Sequence, residues 1–98
     1  MMLYFLGILE ERNGEYEYQV PVRLIAATME IATKALERTA QSWYGDYSHK
    51  YNGGYYFYSG EICVCAGGCK EISKFTYDEI AGYVVEATIS EETMPCLN

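Results

Sequence analysis

The sequence predicts a small α+β domain. It reads as an antiparallel sheet of four to five strands with two helices packed on one face, in the order β-β-α-β-β-(β)-α. Three observations predict it. A continuous apolar run over residues 2–9 is followed by a strictly alternating run over residues 15–24. Two stretches carry helical spacing, one after Thr28 and one after Thr76. Between them, paired glycines punctuate short runs rich in tyrosine. Antiparallel hairpins beside helices pack as a sheet under a helical layer. At roughly 100–200 residues per domain, 98 residues fill one domain, read as residues 1–88 with a C-terminal tail over 89–98.

Each element has its own reason. The length of the first run and its Tyr4, Phe5 and Ile8 favour a strand buried on both faces. Asn13-Gly14 is a hairpin signal, because both residue types tolerate positive φ. In the run that follows, Tyr16, Tyr18, Val20, Val22 and Leu24 share one face. Glu15, Glu17, Gln19, Pro21 and Arg23 share the other, the pattern of a half-buried strand. Pro21 has no amide hydrogen, which puts this strand at an edge or on a bulge. Thr28 caps a helix over residues 29–44, where Ala32, Ala35, Leu36, Ala40 and Trp43 fall at helical spacing. Glu30 and Lys34 form an i,i+4 pair in the favourable order, and Gly45 stops the helix.

Residues 46–54 read as a polar loop and 55–58 as a strand. Ser59-Gly60 is a two-residue turn, 62–66 the returning strand, Gly67-Gly68 a further turn and 69–73 a short third strand. Thr76 with Glu79 fits a capping box. It opens a second helix that runs to about residue 87 and buries Ile80, Tyr83 and Val84. In the tail, Ile89, Met94 and Leu97 are apolar enough to dock.

Charge narrows the function. Fourteen acids stand against seven bases, a formal charge of −7. Phosphate binding needs clustered Lys and Arg, so nucleic acid is a poor direct ligand. Anionic membrane surfaces are disfavoured for the same reason. The apolar start lacks a basic flank, runs into Glu10-Glu11-Arg12, and is far shorter than the ~20 residues of a membrane span. The expectation is a cytoplasmic protein with reduced thiols.

The residues that carry chemistry point away from an enzyme. Cys63 and Cys65 share a strand face, and a Gly-Gly turn would bring Cys69 back to them. Three thiolates with Cys96 or His49 would make a tetrahedral zinc site, but the second cysteine pair of such sites is missing. The plainer reading is that these are small, half-buried apolar residues, with no metal and no cofactor. His49 is the only histidine. It lies beside Ser48 and near Asp46, and chain neighbours rarely face one another as a catalytic set must. Glu10-Glu11, Asp78-Glu79 and Glu91-Glu92 are adjacent carboxylates whose side chains diverge. The Gly-rich turns match no phosphate-binding fingerprint.

Two features point to an interaction surface. Of 11 tyrosines, Tyr47, Tyr51, Tyr55, Tyr56 and Tyr58 cluster in the polar loop and its strand, with Tyr56 and Tyr58 on one face and Tyr55 on the other. Tyrosine gives apolar area and a hydroxyl at low entropic cost, as binding hot spots require. Residues 71–98 also hold six acids against Lys74 alone. Asp78, Glu79, Glu86, Glu91 and Glu92 would form an acidic stripe, with Glu79 and Glu86 two helical turns apart. Such a surface steers towards a basic partner, commonly a nucleic-acid-binding protein. In size and charge the chain resembles the small inhibitors that phages and mobile elements direct at host nucleases, such as anti-CRISPR and anti-restriction proteins. The resemblance implies nucleic-acid mimicry and carries over no residue. Two alternatives stand beside it: a metal-binding or redox-linked module built on the cysteines, and a homo-oligomeric structural or accessory protein joined through its tyrosine strand or the Pro21 edge.

Overall fold

The computed structural model describes residues 2–82, 85 and 86. The fold class is α+β, as the sequence predicts. Strands β1 (Leu3–Asn13) and β2 (Tyr16–Ala26) form a long hairpin, followed by helix α1 (Met29–Gln41). Strands β3 (His49–Tyr51), β4 (Gly54–Phe57) and β5 (Ile62–Ile72), helix α2 (Lys74–Glu79) and the two-residue β6 (Val85–Glu86) complete it. Five strands pair antiparallel in the order β3-β4-β5-β1-β2, and β6 adds in parallel beyond β2. The predicted 89–98 tail, with Ile89, Met94 and Leu97, lies outside the described residues, as do Tyr83 and Val84.

The helices take opposite faces, a correction to the expectation of a single helical layer. On one face, Phe5, Leu9, Val22, Leu24, Ala26 and Val64 are buried beneath Ala32, Ala35, Leu36 and Ala40 of α1. On the other, Tyr77 of α2 packs its ring 5.0 Å from that of Tyr4 and lies 4.4 Å beneath the Arg23 guanidinium. Topology gives the reason. Strands β2, β3 and β5 run in the same direction. The β2-α1-β3 connection crosses the sheet one way and β5-α2-β6 crosses it the other way. Crossovers between parallel strands are right-handed almost without exception, so opposite crossings need opposite faces.

Local chemistry sets the boundaries. Thr28 accepts a hydrogen bond from Ile31 N at 3.1 Å and caps α1 as predicted. The helix ends at Gln41, three residues early, in a turn closed by Ser42 N on Arg38 O and Gly45 N on Ser42 O. Helix α2 is much shorter than the sequence suggested. Its cap is Ser73, which accepts from Thr76 N at 3.1 Å, so Thr76 is an interior residue and not the cap. The first hairpin turns on Gly14 and Glu15, with only Gly14 at positive φ (+63°). The Asn-Gly turn in which both residues take positive φ is Asn52-Gly53, at 53° and 81°, and it joins β3 to β4 inside the segment read as a polar loop.

The Gly67-Gly68 pair makes a bulge, not a turn. Leu9 faces Ala66 and Gly7 faces Cys69, so Ile8 stands opposite two residues of β5. A bulge shifts the alternation of side chains by one. Beyond it, Cys69 joins the face that packs on the core.

One close approach fixes α1 on the sheet. A Cβ on Gly7 would stand 2.9 Å from Leu36 Cδ1, 3.0 Å from Leu36 Cδ2 and 3.2 Å from Leu24 Cδ1. Both leucines are buried. Gly7→Ala is therefore expected to lower unfolding free energy by about 1–3 kcal/mol, the usual range for overpacking. Gly68→Ala, which meets nothing within 4 Å, should leave it nearly unchanged. Urea denaturation of the two variants checks this.

Candidate interaction surface

Strand length decides what the fold leaves bare. Eleven residues of β1 extend about 36 Å, whereas thirteen residues of α1 cover about 20 Å. The helix lies over the Phe5–Leu9 part of the hairpin, so α1 does not cover the distal part of that face. Tyr16, Tyr18, Val20, Val22 and Leu24 do share a face, but burial starts only at Val20. Tyr16 is 69% and Tyr18 50% exposed, with their rings stacked at 6.5 Å and 19°. Sequence reading placed these two in a half-buried face and missed them as surface groups.

Beside this pair lies Glu11, directly opposite Tyr18 on β1 and opposite Val64 on β5. It is 9% exposed and is the one buried Asp, Glu, Lys, Arg or His among the described residues. The Tyr44 hydroxyl donates to its Oε1 at 2.6 Å. Tyr44 follows the end of α1, and its ring packs edge-on against Phe57 at 5.6 Å and against Tyr58 at 5.9 Å. Tyr58 is 59% exposed and sits at φ 54°, followed by Ser59 at 60° and Gly60 at 96°. The turn is thus four residues, 58–61, rather than Ser59-Gly60 alone. Left-handed backbone is costly for a bulky side chain. The strand ends at Phe57, so the expected face-sharing of Tyr56 and Tyr58 is lost.

The tyrosines chosen from sequence divide between the two faces. Tyr55 is buried, 4% exposed, and donates to Glu37 Oε1 at 3.1 Å, so its ring belongs to the core and not to a surface. Tyr47 packs edge-on against it and is partly exposed. Tyr51 and Tyr56 lie on the opposite face, where His49 stacks on Tyr56 at 4.6 Å and 5°. Tyr51 is well exposed and Tyr56 half-buried. The acidic stripe is not one helical face. Asp78 pairs with Lys74 at 2.8 Å and Glu79 ends α2, while Glu86 lies on β6. Glu91 and Glu92 lie outside the described residues.

The three cysteines do not converge. Cys63 and Cys65 face the side away from α1, and the bulge turns Cys69 to the other. Cys63 Sγ would stand 2.6 Å from a Cβ on Gly54, which marks it as a packed group. It borders a shallow concavity of about 660 Å³ with Glu10, Arg12, Gln19, Tyr51 and Cys65. Burial, then the charge of Glu10, pushes the Cys65 thiol up, and burial raises Cys69. Thiols held protonated are weak nucleophiles and weak metal ligands. No group of three or more His, Cys, Asp or Glu able to hold a metal is formed among the described residues. No helix among them is long and apolar enough to cross a membrane.

Comparisons with protein-family models, with curated proteins and with solved structures find no match.

The Tyr44–Glu11 contact has a pH signature. Burial, the hydrogen bond to Glu11 and its charge together push Tyr44 from its ordinary 10.0 up to about 12. Between those values the folded chain holds a proton that the unfolded chain has lost. The contribution to stability is complete below pH 10 and falls as pH rises towards 12. In Tyr44→Phe that part of the decline should vanish. Denaturant titrations across the window, read beside ultraviolet phenolate absorbance, measure it.

Proposed function

We propose that the chain is a non-enzymatic docking module that binds a basic protein through the tyrosine-rich end of its first hairpin. The observation that carries this reading is the stacked, exposed pair Tyr16–Tyr18, flanked in sequence by Glu15 and Glu17. Two large apolar rings held mostly in water gain nothing for the fold. On a partner they bury area with little loss of rotamer freedom. The excess negative charge supplies long-range attraction and so a fast encounter. A nucleic-acid-binding protein is the basic partner of best fit. Docking there would occlude its nucleic acid, as an inhibitor of a host defence complex would.

The reading supports the hairpin end over the acidic C-terminal segment. From Tyr4, beneath Tyr77 of α2, to Glu11 is seven residues along β1, or about 23 Å, and the two groups lie on opposite faces. One partner surface would not meet both without wrapping round the sheet.

Affinity capture from native lysate, with and without nuclease, tests it. The expected result is a basic, nucleic-acid-binding protein that remains bound after nuclease treatment. Against that partner, Tyr16→Ala/Tyr18→Ala should weaken affinity at least about tenfold, with an unchanged thermal midpoint because both rings are exposed. Added salt should slow association more than it speeds dissociation. Unchanged affinity of the double variant would remove the hairpin end from the interface.

A further inference from the structure

We infer that Glu11 anchors an arginine side chain of the partner, held between Tyr18 on one side and Tyr44 with Tyr58 on the other. This rests on the docking reading above and names the group that the surface receives. The starting point is a charge without a counterpart. Carboxylates are rarely buried unless paired with a cation, since removal from water costs several kcal/mol (of order). The ion pairs among the described residues engage Glu17, Glu30, Glu37 and Asp78, and none engages Glu11. Its Oε1 takes one neutral donor, the Tyr44 hydroxyl. Among the described residues no second hydrogen bond or ion pair reaches this carboxylate, and Oε2 is not one of their buried unpartnered atoms, so solvent reaches it.

The surroundings of Glu11 suit one kind of cation. Tyr18 faces it across the hairpin and is half exposed; Tyr44 touches it; Tyr58 extends the rim from Tyr44. Two of these rings thus neighbour the carboxylate, and the third packs on Tyr44. A guanidinium is planar, weakly hydrated and stacks on aromatic faces while donating to an oxygen. An ammonium is compact and strongly hydrated, and gains less from the rings. Because Tyr44 already fills Oε1, the arginine takes Oε2. The carboxylate that the free fold leaves to one hydroxyl and to solvent then gains a cation in the complex.

The test uses the full chain with oligoarginine and oligolysine peptides of equal length and charge, by calorimetry and by the tyrosine ring resonances. Oligoarginine should bind more tightly and shift the rings of Tyr18, Tyr44 and Tyr58. Glu11→Gln keeps an acceptor for Tyr44. It should weaken oligoarginine at least about tenfold without lowering the thermal midpoint. Glu30→Gln, the same charge change on α1, should change binding by less than about twofold. Equal binding of both peptides with equal effects of the two variants overturns the anchor and leaves the acidic docking surface standing. Absence of binding by either peptide at low ionic strength overturns both. A lower midpoint in Glu11→Gln assigns the carboxylate to the fold and overturns the anchor as well.

Discussion

The seat of Leu36 on Gly7 is the contact on which the rest of the structure depends. With no side chain at position 7, the Leu36 side chain of α1 sits directly on β1 there. That contact fixes where α1 lies. Leu24, Ala26 and Phe5 then fill one side of it, and Leu9 and Val64 the other. Because the helix is little more than half as long as the hairpin, its position also decides which residues stay in water. Had α1 been seated four residues further along β1, Glu11 and Tyr18 would lie beneath it. The bare end of the hairpin is thus a consequence of core packing, not an ornament added to it.

The same seat explains how the surface is assembled from distant parts of the chain. Helix α1 ends beside Glu11, so the turn that follows delivers Tyr44 to it. The β4–β5 turn brings Tyr58 against Tyr44 at the cost of left-handed backbone in a bulky residue. Tyr18 and Glu11 meet by strand register alone. Three local devices, a helix end, a strained turn and a hairpin register, meet at one carboxylate. None of them is visible without the other two.

What was legible in the sequence was whatever local pattern decides. Thr28 and the spacing after it gave α1, and alternation gave the faces of β2. What was not legible was whatever neighbours decide. Alternation showed that Tyr16 shares a face with Leu24, but only the helix length shows where burial on that face stops. Gly67-Gly68 reads equally as a turn or a bulge, and the choice depends on whether β1 is there to keep pairing. That choice moved Cys69 across the sheet and dissolved the thiol cluster. Thr76 and Glu79 fit a capping box, yet Ser73 caps first because β5 ends there. Tyr55 looks like its neighbours in a tyrosine-rich run and is core only because β4 lies against β5. Glu11, one acid among fourteen, carried no signal at all. Its distinction is burial, and burial there comes from Tyr44, thirty-three residues away.

Magnitudes separate the parts that charge and shape play. A net charge of −7 acts over about 8 Å at physiological salt. It speeds encounter with any basic surface, so it confers little choice among them. Exposed ion pairs such as Arg12–Glu17 at 3.4 Å are worth at most about 1 kcal/mol and add no more choice. A carboxylate that is largely enclosed but open at one oxygen differs in kind. As the proposed anchor, it favours a cation that can reach that oxygen and suits the rings beside it. Coulomb attraction is stronger at a half-enclosed group than at the open surface, so the gain is expected in dissociation rather than encounter. On the proposed reading the two act together: net charge brings a basic partner in, and the enclosed carboxylate with the exposed rings beside it selects among such partners.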